Sequence, residues 1–321
     1  LLLPAPADLA GLRAAARPFV TGALAREPRR YFAFVEQPPD GLVSSTRYRR
    51  RLAGGAIVGR AFASRYRPYG GAGRAPGAES ILVEHWMHGR SQPRGTVLAL
   101  HGFGMGQPRL DAWALFAAAW FGRGLDVALL TLPHHGARSL AGARFSGQRF
   151  AQADPAQLNE AVRQAIYEIH AVRGWLRASS ARPVGLIGLS LGGYLAALYA
   201  SLDAELDFVV PIVPPVCFGD LGARFSARRG EAAEAPYAPG ELQAMFRVHS
   251  PLSHRLRTPA ARALIVAGRG DRIVPPEHPQ ALWRHWQQPS IHWFSGSHLA
   301  PFGRRGVVDA IAAHLGRLGI L

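Results

Sequence analysis

The sequence Gly188-Leu189-Ser190-Leu191-Gly192 lies between a short apolar run at 183–187 and a helix-forming run at 194–200. A strand, a Gly-x-Ser-x-Gly turn and a helix in this order are typical of a nucleophile elbow, where a serine hydroxyl projects from the end of a sheet. Glycine two positions before and two positions after the serine lets the strand and the helix approach closely. Glycine is common in this chain, with 36 among 321 residues, so the motif needs support from the rest of the sequence.

The chain around this turn alternates short apolar runs with amphipathic runs. The mainly apolar runs lie at 96–100, 125–131, 183–187, 206–213 and 261–268, and a last strand-like run that includes Ser290 and His292 lies at 290–294. Runs of this length without polar alternation are typical of strands covered on both faces. Their alternation with helical patterns predicts an α/β protein with a mostly parallel central sheet and helices on both faces. Two further runs, at 57–66 and 80–87, are joined by a turn-rich loop and predict antiparallel strands at a sheet edge.

The N-terminal part of the chain does not follow this alternation. Residues 1–55 combine a helical composition with turn residues, and we expect an N-terminal extension packed on a main domain at 56–321. The first residues, Leu1-Leu2-Leu3-Pro4, lack a charged segment followed by a long apolar stretch. We therefore interpret them as a trimmed end and not as a signal peptide. No apolar run approaches the roughly 18 residues of a membrane span.

The charge pattern excludes several function classes. The formal net charge is +16, and all 37 basic residues are arginine. Without lysine the chain has no Schiff-base lysine, no pyridoxal-phosphate lysine and no P-loop lysine. The arginines are scattered and no nucleic-acid-binding motif accompanies them. We therefore expect no nucleic-acid partner, and a basic surface with weak attraction for acidic surfaces.

Cysteine and histidine patterns bear on metals and on the compartment. The single cysteine, Cys217, excludes an internal disulfide and a cysteine-rich zinc site, and it fits a reducing, cytoplasmic compartment. The adjacent pair His134-His135 follows a predicted strand, but no third ligand at suitable spacing accompanies it. We expect neither a metal nor a cofactor.

Three motifs follow predicted strands in a defined order. Ser190 is followed by Asp271 in Gly268-Arg269-Gly270-Asp271, directly after an apolar strand, and then by His298 in Ser295-Gly296-Ser297-His298, after the last strand. The carboxyl ends of parallel strands meet at one edge of a sheet, where such proteins collect their sites. With these motifs the chain resembles an α/β-hydrolase, whose residues come in the order Ser, Asp or Glu, His. The similarity runs from about Ala56 to the C-terminus.

The resemblance implies a role for each residue of the constellation. Ser190 would attack a carbonyl carbon, while His298 would first accept its proton and later protonate the leaving group. Asp271 would hold the imidazole in one tautomer and stabilise its cationic form. The backbone N–H groups of Leu191 and Phe103 would form the oxyanion hole. Asp220, which follows the preceding strand, is an alternative to Asp271.

The resemblance also implies where a substrate would bind. The irregular stretch 214–258 falls where such proteins often carry a cap, and its apolar residues would serve either an acyl pocket or the core of the cap. They are Phe218, Leu221, Phe225, Tyr237, Leu242, Met245 and Phe246. We expect substrate contacts from His101, His134, His135 and Phe218, although plain structural roles for the histidines stay open.

Three functions fit this reading. The first is a serine hydrolase that acts on a small-molecule carboxylic ester. The second is another acyl-transfer activity of the same triad, namely a lipase, peptidase, thioesterase or acyltransferase. The third is a binding protein of the same fold without catalysis. The oligomeric state stays open.

Overall fold

One mixed sheet forms the centre of the computed structural model, which describes residues 9–39, 41–69, 79–89, 92–150, 154–228, 239–298 and 304–321. Within these ranges the sheet has nine strands. They are β1 (Ser44–Leu52), β2 (Gly55–Ala63), β3 (Ser80–His88), β4 (Gly95–Leu100), β5 (Leu125–Thr131), β6 (Val184–Leu189), β7 (Val209–Ile212), β8 (Leu264–Gly268) and β9 (Ser290–Phe294). Their spatial order is β1-β2-β3-β5-β4-β6-β7-β8-β9.

The sheet is parallel from β5 across to β9 and antiparallel at the other end. Every residue of β4 and β5 is buried, which explains why these strands are continuous apolar runs and not alternating ones. The predicted mostly parallel sheet is therefore confirmed. The predicted antiparallel pair is also present as β2 and β3, and β1 adds a further antiparallel strand at the outer edge.

Helices cover both faces of the sheet, as the sequence predicts. They are α1 (Leu9–Thr21), α2 (Ala23–Arg26), α3 (Pro108–Ala114), α4 (Ala117–Phe121), α5 (Pro155–Ser179), α6 (Leu191–Ala200), α7 (Phe218–Arg228), α8 (Pro239–Phe246), α9 (Glu277–His285) and α10 (Arg304–Arg317). One apolar core contains residues of α5 and α6, and a second contains residues of α4 and α10. Among the described residues, no helix is long and apolar enough to span a membrane.

A 3-10 helix at Pro28–Glu36, which follows α2, packs against α5 through aromatic and charged side chains. The Tyr31 hydroxyl donates to the Glu160 carboxylate at 3.0 Å. The Arg163 guanidinium lies over the rings of Tyr31 and Phe34, 5.3 and 5.1 Å from their centroids. These contacts tie residues 9–36 to the main domain. The division of the chain at residue 55 stays a prediction, and residues 1–8 and 40 lie outside the described residues.

The edge strand β1 is almost wholly exposed and carries four arginines within five residues, Arg47, Arg49, Arg50 and Arg51. On one face, Arg50 donates to the buried carboxylate of Glu84 on β3, at 2.9 Å. In the described part of the chain, β1 pairs with β2 alone. Its other edge therefore presents backbone N–H and C=O groups beside a row of positive charge.

The turn between β6 and α6 leaves no space for a side chain at Gly188 or Gly192. A Cβ on Gly188 would overlap the carbonyl of Gly192, and one on Gly192 would overlap the carbonyl oxygen of Leu100 on β4. Ser190 itself has φ 54° and ψ −110°, an unfavourable conformation for a residue with a side chain. The glycines thus allow the close strand–helix approach that the sequence predicts.

This packing predicts opposite effects for two glycine substitutions. We expect Gly192→Ala to lower the free energy of unfolding by about 1–3 kcal/mol or more, because the added methyl meets backbone that cannot yield. The matched control is Gly316→Ala in α10, where a Cβ would meet nothing within 4 Å. It should raise stability by about 0.5–1 kcal/mol, the usual gain from replacing a helical glycine. Urea unfolding measures both, and equal stabilities for the two variants would contradict the packing argument.

Candidate active site

Three strand ends bring Ser190, Asp271 and His298 together. Ser190 lies between β6 and α6, Asp271 follows β8, and His298 follows β9. His298 Nε2 is 2.8 Å from the Ser190 Oγ, and His298 Nδ1 is 2.7 Å from Asp271 Oδ2. The three side chains therefore form one continuous hydrogen-bonded chain, in the arrangement that activates a serine nucleophile.

The Asp271 carboxylate is held from both sides. Its Oδ1 accepts the backbone N–H groups of Ile273 and Val274 at 2.9 and 2.8 Å, and its Oδ2 faces His298. The side chain is buried, so these bonds fix its orientation. Because an ionised carboxylate only accepts, Nδ1 of His298 carries the proton and Nε2 is free to accept the Ser190 hydroxyl proton.

The alternative acid, Asp220, lies in a different pair. Its Oδ2 is 3.0 Å from Nε2 of His278 and 2.8 Å from Nε of Arg224. The other nitrogen of His278 accepts the Val216 N–H at 3.1 Å. The structure thus brings Asp271 to His298 and engages Asp220 with α9 and its own helix.

The two predicted oxyanion donors flank the serine. Leu191 is the first residue of α6, where a backbone N–H has no carbonyl of its own helix to bind. Phe103 follows Gly102, and a Cβ on Gly102 would lie 3.6 Å from the Ser190 Cβ. Both N–H groups therefore belong to backbone close to the nucleophile. Their role as oxyanion donors stays a prediction.

The histidines predicted to contact substrate are buried. Both ring nitrogens of His101 are engaged: Nδ1 donates to the Gly102 carbonyl at 2.8 Å, and Nε2 accepts the Leu132 N–H at 3.0 Å. Burial lowers the pKa of His101 to about 4. These contacts connect the loop after β4 to the end of β5 and favour a structural role.

His134 and His135 occupy the loop that follows β5. His135 Nδ1 donates to the Pro133 carbonyl at 2.8 Å, and its ring packs against those of His101 and Phe103. Burial lowers the pKa of His134 to about 4 and that of His135 to about 3. Neutral buried rings of this kind shape a loop. Across the described residues, no three His, Cys, Asp or Glu side chains are grouped as a metal ion requires.

The fourth predicted contact, Phe218, lies on the insertion at 214–258. Its ring stacks on that of Tyr194, one turn of α6 after Ser190, with centroids 4.2 Å apart. It also lines a cavity of about 470 Å³ whose described lining includes Cys217 and Phe246 but neither Ser190 nor His298. Met245 and Phe246 of the same insertion are buried. Tyr237 and the Phe225 side chain lie outside the described residues, and the cap role stays a prediction.

The loop after β5 carries a further aromatic residue that contacts Phe103 and that the sequence pattern does not indicate. Phe145, on the loop after β5, is 50% exposed, and its ring lies 6.1 Å from that of Phe103 in an edge-to-face arrangement. The available signal is a single phenylalanine in the small and polar stretch 142–148. Because no apolar periodicity surrounds this loop residue, the sequence pattern does not indicate a role for it.

Comparisons with known proteins concern the family and the fold. The family model described as "Serine hydrolase (FSH1)" matches residues 153–309. Uncharacterized proteins from two strains of Mycobacterium tuberculosis are 32% identical over 252 residues, which cover 75% of this chain and 57% of each relative. The chain thus spans little more than half the length of these relatives.

Solved structures share the fold at low identity. An acetyl xylan esterase from Paenibacillus matches with a TM-score of 0.61 at 16% identity, covering 92% of this chain and 94% of that one. Acetyl xylan esterase 1 from Thermoanaerobacterium matches with a TM-score of 0.62 at 14% identity, covering 98% and 95%. A cold-adapted esterase from an Arctic intertidal metagenomic library matches with a TM-score of 0.54 at 16% identity, covering 85% and 99%. At such identities the likeness concerns the fold.

The sheet and the serine turn are those of an α/β-hydrolase fold, and residues 153–309 match a serine hydrolase family model. The resemblance drawn from its motifs is therefore confirmed.

The buried His101 predicts a loss of stability in mild acid. The ordinary histidine pKa of 6.5 falls to about 4 in the folded protein. Between these values the unfolded chain binds a proton that the folded chain does not, so the free energy of unfolding falls as the pH falls below 6.5. At about pH 5 the cost reaches roughly 2 kcal/mol for this one group.

Urea unfolding at about pH 7 and about pH 5 measures this cost. The variant His101→Gln keeps an acceptor for the Leu132 N–H but cannot take up a proton. Its pH dependence should be smaller than that of the wild type by about 1–2 kcal/mol. An identical pH dependence in the two proteins would contradict the assignment.

Proposed function

We propose that this protein hydrolyses small-molecule carboxylic esters through an acyl-enzyme on Ser190. The observation that carries the proposal is the continuous chain from Asp271 through His298 to Ser190, with distances of 2.7 and 2.8 Å. A serine hydroxyl is a weak nucleophile unless a base accepts its proton. Here His298 is that base, and its hydrogen bond to Asp271 favours the tautomer that can accept the proton.

The first half of the reaction forms the acyl-enzyme. The Ser190 Oγ attacks the ester carbonyl carbon while its proton passes to Nε2 of His298. The carbonyl oxygen becomes an oxyanion, which the N–H groups of Leu191 and Phe103 stabilise. The tetrahedral intermediate then breaks its bond to the alcohol oxygen, and His298 returns the proton to that oxygen. The alcohol leaves, and the acyl group stays on Ser190.

The second half repeats these steps with water as the nucleophile. His298 takes a proton from water, whose oxygen attacks the acyl carbon. Collapse of the second intermediate breaks the bond to the Ser190 Oγ, which regains its proton from His298. The carboxylic acid is released and the enzyme is restored. Throughout, Asp271 stabilises the imidazolium and keeps its Nε2 pointed at the reacting oxygen.

The choice of esters over other acyl compounds rests on two observations. The solved structures with the same fold include two acetyl xylan esterases and a cold-adapted esterase, which supports an ester substrate. The half-exposed rings of Phe103 and Phe145, on the loops that follow β4 and β5, favour an apolar acyl compound over a polar peptide. Lipase, peptidase, thioesterase and acyltransferase activities use the same triad and form the second candidate. A cytoplasmic location is proposed on the single cysteine alone.

Asp271 and Asp220 each pair with a different histidine, which allows a controlled test of the triad. We expect Asp271→Asn to lower kcat for p-nitrophenyl acetate by about 10³–10⁴-fold, because the amide no longer holds His298 in the reactive tautomer. The matched control is Asp220→Asn, which removes the same charge from the pair with His278 and should change kcat less than about threefold. Similar losses in both variants would show that Asp271 has no special role.

Labelling separates a hydrolase from a binding protein of this fold. A fluorophosphonate should form a stoichiometric adduct on Ser190 in the native protein and none in Ser190→Ala, as peptide mass spectrometry would show. Ser190→Ala should also hydrolyse esters only at the low residual rate that substrate binding and the oxyanion hole support. Absence of the adduct in the wild type would overturn the proposed function.

A further inference from the structure

Two half-exposed phenyl rings meet on the loops that follow β4 and β5. Phe103 is 45% exposed and Phe145 is 50% exposed, and their centroids lie 6.1 Å apart with an interplanar angle of 76°. Edge-to-face contact holds the pair together while leaving apolar surface open to solvent. Exposed apolar groups that cluster at a site mark a surface for an apolar ligand.

The loop that carries Phe145 is fixed to the loop that carries Phe103. The Ser146 hydroxyl donates to the Met105 carbonyl and accepts the Gly136 N–H at 2.8 Å. The backbones of Gly136 and Gly106 touch so closely that a Cβ on either would collide with the other. Phe145 is thus anchored through its neighbour Ser146 to the turn that begins at Gly102.

A third apolar side chain continues this surface toward the serine. The thioether of Met105 lies 3.2 Å from the position of a Cβ on Gly102, and the same position lies 3.6 Å from the Ser190 Cβ. Beneath the rings, Phe103 packs on the buried imidazole of His135, with centroids 5.8 Å apart. We refer to Phe103, Met105 and Phe145 as the aromatic wall. It begins at the residue after Gly102.

The sheet order decides which half of an ester would face the aromatic wall. Phe103 follows β4 and Phe145 follows β5, both on one side of β6 and its serine. Asp271 and His298 follow β8 and β9 on the other side. The alcohol must leave on the side of His298, because that imidazole protonates it. The acyl group, bonded to the other side of the carbonyl carbon, therefore extends toward β4 and β5.

From this placement we propose that the aromatic wall binds the acyl group of the substrate, and that Phe145 determines a preference for medium-chain alkyl or aryl acyl groups over acetyl. The inference rests on the proposed function of Ser190. Phe145 has no part in proton transfer, and its backbone is not among the predicted oxyanion donors. Its side chain therefore acts through apolar contact with the acyl group, a contact that an acetyl group is too short to share.

The test compares p-nitrophenyl octanoate with p-nitrophenyl acetate, which share one leaving group. We expect Phe145→Ala to lower the octanoate-to-acetate ratio of kcat/KM by about 10-fold, the effect of losing contact with several buried methylene groups. The loss should appear as a higher KM for octanoate, while kcat for acetate stays within about twofold. Phe145→Leu restores apolar surface and should recover most of the ratio.

Val43→Ala is the control for a general effect of removing exposed apolar surface. Val43 is 85% exposed and directly precedes β1 at the far edge of the sheet, so its loss should leave the ratio unchanged. An unchanged ratio in Phe145→Ala, or equal losses for octanoate and acetate, would overturn the role of Phe145. Failure of the proposed function looks different, since wild type and Ser190→Ala would then hydrolyse both esters at the same rate.

Discussion

The turn at Ser190 is the constraint on which the rest of the site depends. Its backbone has φ 54° and ψ −110°, which costs free energy that the surroundings must offset. The Ser190 N–H donates to Ile212 on β7 at 2.9 Å, and its carbonyl accepts the Tyr194 N–H at 2.8 Å. All of α6 is buried. A strand on one side and a core helix on the other thus over-determine the conformation, and the hydroxyl is presented without any freedom of its backbone to relax.

The architecture and the meeting of three distant side chains could be predicted from the sequence for one physical reason. Strands buried on both faces must be apolar throughout, and so they are visible as uninterrupted runs. The residues that follow such runs in a parallel sheet share an edge whatever their separation along the chain. Ser190 and Asp271 follow the largely buried strands β6 and β8, and His298 follows the partly exposed edge strand β9. The ends of these strands share one edge of the sheet, which is why Ser190 and His298, 108 residues apart, lie within hydrogen-bonding distance.

Other features depended on contacts that leave no pattern in the sequence. Asp220 and Asp271 both follow strands, and only the course of the loops engages one with His278 and the other with His298. The placement of Phe145 depends on the hydroxyl of Ser146 and on the contact between Gly106 and Gly136, and neither produces a periodic pattern in the sequence. The edge strand β1 is equally difficult to predict from the sequence, because its arginines leave none of the apolar alternation that indicates a strand.

That edge strand has a consequence for how copies of the molecule meet. A free strand edge is a template on which another chain can extend the sheet, and such pairing is a route to aggregation. Here, in the described part of the chain, two approaching β1 edges would each present Arg47, Arg49 and Arg51. Bringing these guanidinium groups together costs electrostatic free energy before any backbone bond can form. This repulsion opposes extension of the nine-stranded sheet that the described residues form.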